Sequence, residues 1–94
     1  MARPLKILKA TKTDKLTPEL AFGQVLRELR IERDLKQVDL EGTDKSMDKS
    51  YVSKLELGKN QVCLKGILHF ADKLGMSPGA LVDEVHRKLK AQKK

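Results

Sequence analysis

Residues 48–58 have the sequence DKSYVSKLELG, and its order of polar and apolar residues predicts a short amphipathic helix. Asp48 is a good N-cap, because its carboxylate can accept a hydrogen bond from a free backbone N–H of the first turn, and Gly58 is the residue type that commonly follows a helix. The expected inward side holds Val52 and Leu55, together with Tyr51. The opposite side is polar and carries Lys49, Ser50, Ser53 and Lys54.

Further helices are predicted on both sides of this segment. Thr17 followed by Pro18 is typical of a helix start, and that helix is expected to run to about Asp34. A short second helix is expected over 37–43, a fourth over 64–74 ending at Gly75, and a fifth that Ser77-Pro78 begins. Residues 42–46 are polar and predict a turn before Asp48. The sequence therefore predicts an all-α fold of five helices.

The positive charge of the chain is concentrated at its ends. The 94 residues carry a net charge of +7, of which residues 1–16 contribute +4 and residues 86–94 contribute +5, so that residues 17–85 carry −2. We expect a helical domain, 17–85, between a basic N-terminal arm, 1–16, and a basic C-terminal tail, 86–94. Basic arms suit a polyanion such as nucleic acid, although terminal lysines also occur simply as solvated, disordered ends.

Several classes of protein are not expected. The apolar runs are too short for a membrane span or a secretory signal, and a single cysteine, Cys63, cannot form an internal disulfide. His69 and His86 have no cysteine partners nearby, so no metal site is expected, and no cofactor or catalytic motif is recognised. We expect a cytoplasmic protein that is not an enzyme.

Three separated blocks of the sequence resemble the Cro/repressor-type, or xenobiotic-response-element, family of helix-turn-helix proteins. The first holds Phe22, Leu26, Leu29 and Arg30 and then Leu35-Lys36-Gln37 with Leu40; the second is 51–58; the third is 64–77. The resemblance covers roughly 20–85. It implies a five-helix, lambda-repressor-like bundle whose helix-turn-helix is formed by the second and third helices.

A helix that enters the major groove of DNA needs a polar outer side, and its first turn usually contacts the bases. Lys49, Ser50 and Lys54 are therefore the candidate base-contacting residues, the other interpretation being an ordinary surface helix with solvated lysines. Ser53, Lys59 and Asn60 are candidates for phosphate contacts, since small polar loops and helix ends donate to anionic oxygens. The resemblance adds Gln37 to the phosphate contacts, with a base as a further target, and implies a structural ion pair between Arg30 and Glu56.

The sequence departs from the family pattern in two places. Lys36 stands where the family usually has a Ser or Thr cap, so the second helix either frays there or begins earlier with Asp34 as its cap. The stretch from Gln37 to Tyr51 is one residue longer than the commonest spacing, and Glu41 moves the expected small residue to Gly42. A longer stretch either tilts the recognition helix or lengthens the turn.

Three functions remain open from the sequence. The leading hypothesis is a sequence-specific transcriptional regulator of double-stranded DNA, acting as a homodimer on an inverted repeat, with repression the expected outcome and the nucleoid the expected location. Spare apolar residues for the two-fold interface are Leu57, Leu81, Val82 and Val85. The alternatives are an antitoxin-like or adaptor module that binds a protein partner, and nonspecific nucleic-acid binding through the basic arms.

Overall fold

The computed structural model describes residues 16–42 and 47–91. Within these two ranges the chain forms four α-helices, one turn of 3₁₀ helix and no β-strand, which confirms the predicted all-α class. The elements are α1 (Pro18–Glu32), the 3₁₀ turn (Gln37–Leu40), α2 (Lys49–Glu56), α3 (Leu64–Leu74) and α4 (Pro78–Ala91). The four helices lie where the first, third, fourth and fifth helices were predicted.

The predicted count of five helices is wrong, because residues 37–40 form only a single 3₁₀ turn. Lys36, which precedes that turn, has no side-chain acceptor for the free N–H groups, and its own N–H donates to Asp39 Oδ2 at 2.7 Å. Glu41 is already extended, with ψ of 149°. A turn that lacks a side-chain cap and is stopped after four residues does not propagate into an α-helix.

Asp34 does not cap a helix, so that alternative is also wrong. It adopts a left-handed conformation with φ of 59° and belongs to the end of α1. The Leu35 N–H donates to Arg30 O at 2.9 Å and the Asp34 N–H donates to Ile31 O at 3.0 Å. This pair of hydrogen bonds is the Schellman motif, in which glycine is the usual left-handed residue.

The other helix ends follow the sequence closely. Thr17 Oγ1 accepts from the Leu20 N–H at 3.1 Å, and Asp48 Oδ1 accepts from the Tyr51 N–H at 3.0 Å, so both predicted caps are confirmed. Ser77 caps α4 in the same way, through the Ala80 N–H at 3.1 Å. Gly58 and Gly75 have φ of 76° and 72° and end α2 and α3.

The helices enclose one apolar core. Its largest fully buried side chains come from all four helices and from the 3₁₀ turn: Phe70, Leu26, Leu40, Leu55, Leu81 and Val52. The ring of Phe70 on α3 lies 6.4 Å from that of Phe22 on α1 and 6.4 Å from that of Tyr51 on α2. Phe70 therefore joins the three helices around the middle of the core.

The connection between the 3₁₀ turn and α2 is closed by a backbone hydrogen bond. The Gly42 N–H donates to Met47 O at 3.0 Å. His69 on α3 supports the start of this connection, since its Nε2 lies 2.8 Å from Leu40 O. Most of the turn predicted over 42–46 lies outside the described residues.

Two of the predicted boundaries need comment. The basic arm 1–16 lies outside the described residues except for Leu16. Residues 86–91, which were assigned to the basic tail, form the last turns of α4, where the Lys88 ammonium pairs with the Glu28 carboxylate of α1 at 3.0 Å. Of the helices described, none is both long and apolar enough to cross a lipid bilayer.

Candidate nucleic-acid interface

The two sides of α2 are divided as its sequence predicts. Val52 and Leu55 are fully buried and Tyr51 is half-buried. Lys49, Ser50 and Lys54 are exposed, and Ser53 is half-buried. With about 100° of rotation per residue, these four polar residues span an arc of about 140° on the helix. The candidate base-contacting residues therefore lie together on one free side of α2.

Two glycines allow α2 to approach α1 closely. A Cβ built on Gly23 of α1 collides with the carbonyl oxygen of Leu55 and lies only 2.8 Å from that of Glu56. A Cβ on Gly58 collides with the side chain of Leu20. Because a Cβ at Gly23 would meet main-chain atoms of α2, close backbone contact with α1 fixes the position of α2 on the protein body.

The predicted ion pair between Arg30 and Glu56 is present and tightly held. Arg30 Nε donates to Glu56 Oε2 at 2.7 Å and Arg30 Nη2 donates to Glu56 Oε1 at 3.0 Å. The two side chains are 12% and 3% exposed. This bidentate pair joins α1 to the last turn of α2, and Arg30 Nη1 also donates to Leu35 O at 3.0 Å.

Gln37, the predicted phosphate contact, is a third member of this network. Its Nε2 donates to Glu56 Oε1 at 3.0 Å, and the residue is half-buried at the start of the 3₁₀ turn. A primary amide nitrogen has two N–H groups, so the bond to Glu56 uses one of them. The structure thus brings Gln37 to the end of α2, a contact that the sequence analysis did not include.

The remaining phosphate candidates follow α2 directly. Lys59 and Asn60 are exposed in the loop between α2 and α3, and the Lys59 N–H donates to Lys54 O at 2.9 Å. The structure therefore places the loop lysine immediately beyond the last turn of α2. Lys49, Lys54 and Lys59 give this surface three exposed positive charges, whereas the Glu56 carboxylate is neutralised by Arg30.

Cys63 has chemistry that its sequence position alone did not reveal. It is the N-cap residue of α3 and is exposed. Hydrogen bonding from the Gly66 N–H, aided by the Tyr51 hydroxyl, lowers the pKa of the Cys63 thiol because it stabilises the thiolate. Burial, followed by the nearby thiolate charge, raises the pKa of Tyr51.

The surface proposed for dimerisation needs one correction. Leu81 is fully buried and belongs to the core, so it contributes no free apolar surface. Leu57 and Val82 remain exposed at 58% and 47%, and Val85 is half-buried. Among the described residues, no group of three or more His, Cys, Asp or Glu side chains is placed to hold a metal ion.

No protein-family model, curated protein or solved structure matches this chain. The function is therefore inferred from the residues of this chain and from their geometry.

Proposed function

We propose that this protein binds double-stranded DNA in a sequence-specific manner and regulates transcription. The observation that carries the proposal is the form of α2, a capped helix whose exposed side presents Lys49, Ser50 and Lys54 while its opposite side is locked into the core. A helix of this shape fits the major groove, which is about 12 Å wide. Lysines favour the acceptor atoms of guanine, and the serine accepts or donates as the base requires.

The surrounding residues support the same surface. Lys59 and Asn60 lie next to the end of α2, and Gln37, in the 3₁₀ turn, is hydrogen-bonded to Glu56 in the last turn of α2. Polar groups of this kind bind backbone phosphates and fix the register of a recognition helix without reading sequence. The net charge of +7 for the whole chain adds attraction to DNA over a longer range.

We propose that the protein acts in the cytoplasm, on the nucleoid, and binds an inverted repeat as a homodimer. Two copies of α2 then enter successive major grooves about 34 Å apart. Leu57 and Val82 offer exposed apolar side chains for the contact between copies. Repression, by occupying a promoter, is the proposed outcome.

Selection of bound duplexes from a random pool tests the proposal directly. We expect a palindromic sequence to be enriched and to bind at least about 10³-fold more tightly than unrelated DNA. Lys49→Ala should then lose about 10- to 100-fold in affinity for that site and relax the preference at one base pair of each half-site.

Lys90→Ala is the matched control, since it removes one exposed lysine from α4, away from the recognition helix. It should reduce the affinity for all duplexes alike and only slightly. Equal binding of every duplex by the parent protein, or equal effects of the two substitutions, would contradict the assignment of α2 as the recognition helix.

A second candidate function has one observation in its favour. Leu64 and Leu68 lie one turn apart on α3 and are 71% and 50% exposed. Exposed leucines on a small domain suit a contact with another protein. An antitoxin-like or adaptor role would appear as one tight protein ligand and no shift of any duplex at low salt.

A further inference from the structure

The carboxylate of Glu56 accepts hydrogen bonds from two different residues. Arg30 supplies two of its N–H groups, and the amide nitrogen of Gln37 supplies a third, at 3.0 Å from Oε1. The Glu56 side chain is only 3% exposed. Glu56 is therefore the point at which α1, the 3₁₀ turn and α2 are joined by side chains.

The chemistry of Glu56 determines which way the Gln37 amide faces. An ionised carboxylate has no hydrogen to donate, so only the nitrogen of the amide, and not its oxygen, can face Oε1. A DNA phosphate is also an acceptor only. A glutamine that rotates freely presents its oxygen as readily as its nitrogen, and it loses that freedom when it binds.

Charge also favours this arrangement. An unpaired carboxylate close to a phosphate would repel it, but Arg30 forms a bidentate pair with Glu56 and is itself only 12% exposed. The pair thus directs the Gln37 amide without adding a net negative charge to the surface.

We propose that Glu56 is a positioning residue for DNA binding, which holds the Gln37 amide with its nitrogen set to donate its second N–H to a backbone phosphate. The inference rests on the proposed function, since it assigns a role within the same DNA-binding surface. It differs from the ion-pair role that joins helices, because Glu56 here acts through Gln37.

A double-substitution cycle on the selected duplex separates the two roles. Gln37→Met keeps the length of the side chain and removes its hydrogen bonds, and Glu56→Gln removes the charged acceptor. We expect Gln37→Met to lose about 10- to 100-fold in affinity, the value of a hydrogen bond to a charged group. Glu56→Gln should lose less, about 2- to 10-fold, because it frees the amide to rotate without removing it. In the Gln37→Met background, Glu56→Gln should cost less than about twofold, because there is no amide left to position.

The control for the chemical change is Glu28→Gln, which alters a carboxylate paired with Lys88 on the α1–α4 surface. It should raise the affinity for all duplexes only slightly, through the loss of one negative charge, and by the same factor in both backgrounds. Far-UV circular dichroism and urea unfolding are recorded for every variant, and binding is measured where each is folded. Glu56→Gln should lower the free energy of unfolding in both backgrounds, because Arg30 loses its charged partner in each. The two values should differ only by the contribution of the hydrogen bond between residues 37 and 56.

Single methylphosphonate substitutions along the duplex provide a second readout that does not depend on Glu56→Gln being folded. The parent protein should lose affinity when one particular phosphate in each half-site is made neutral, and Gln37→Met should be insensitive at that position. Equal losses from Glu56→Gln in both backgrounds, or unchanged sensitivity of Gln37→Met to every phosphate, would overturn the inference and leave the recognition helix in place. If the parent protein showed no preference for any duplex, the proposed function and the inference would both be overturned.

Discussion

Replacing Gly23 with alanine should destabilise this protein, although the same change stabilises most helices. Gly23 lies in the middle of α1, where alanine is ordinarily favoured over glycine by about 1 kcal/mol. Here the added Cβ meets the backbone carbonyls of Leu55 and Glu56, and it lies 3.0 Å from the carbonyl carbon of Glu56. Backbone atoms have no alternative rotamers, so α2 itself must move.

The size of the effect follows from these two opposing contributions. Overpacking of a close-packed site typically costs about 1–3 kcal/mol, and a clash with backbone belongs at the upper end. After the gain in helix propensity is subtracted, we expect Gly23→Ala to lower the free energy of unfolding by about 1–2 kcal/mol. Displacing α2 also strains the Arg30–Glu56 pair, so affinity for the selected duplex should fall as well.

Gly79 provides the matched control. It lies in the first turn of α4, and a Cβ built there meets nothing within 4 Å beyond its chain neighbours and the backbone of its own helix. Gly79→Ala should therefore raise the free energy of unfolding by up to about 1 kcal/mol. Urea unfolding followed by far-UV circular dichroism gives both free energies of unfolding. A Gly23→Ala protein as stable as the parent would refute the close approach of α1 and α2.

Three further changes test other parts of the structure. Asp34→Gly should raise the free energy of unfolding by about 0.5–1 kcal/mol, because glycine adopts the φ of 59° without strain; a lower urea midpoint would count against the Schellman ending of α1. Asp48→Ala should cost about 1 kcal/mol through loss of the α2 cap, whereas Asp48→Asn should retain most of it. The rate of Cys63 alkylation should rise with pH at a midpoint below that of the urea-unfolded chain, and Tyr51→Phe should move that midpoint upward; identical midpoints in folded and unfolded protein would argue against the stabilised thiolate. Because the Cys63 thiol has a lower pKa in the folded protein, its ionisation stabilises the fold at pH values above the pKa of the unfolded thiol. This stabilisation is lost as the pH falls through the lower pKa of the folded protein.

The parts of the fold that depend on local chemistry were predictable. Thr17 and Asp48 are caps because their side chains reach an N–H three residues away, and Gly58 and Gly75 end helices through a conformation that glycine adopts easily. The buried side of α2 was also predictable, because Val52 and Leu55 repeat at helical spacing in a segment with a clear start and end.

The 3₁₀ turn was not predictable in the same way. The helix expected over 37–43 has Val38 and Leu40 as its apolar residues, but only Leu40 is buried and Val38 is 50% exposed. Four residues are too few for a periodicity to distinguish a 3₁₀ turn from an α-helix. The end of α1 at Asp34 depends on a residue other than glycine in the left-handed region, which sequence patterns rarely indicate.

The exposed residues of the candidate site were predicted from the sequence, but the contacts that hold them in place were predicted only in part. The exposure of Lys49, Ser50 and Lys54 followed from the pattern of α2, but the bond from Gln37 to Glu56 joins residues 19 positions apart and has no local signal. Gly23 did carry a signal, since a glycine in a helix interior is costly unless another element needs the space. The family resemblance implied the pairing of Arg30 with Glu56, whereas only the structure shows the Gln37 amide bound to the same carboxylate.

The hydrogen bond between Gly42 and Met47 has a practical consequence for engineering. It ties Gly42 directly to Met47, so additional residues inserted between them should leave the position of α2 unaltered. An epitope or a dye-accepting peptide could therefore be inserted there, with an unchanged free energy of unfolding as the sign that the insertion is tolerated.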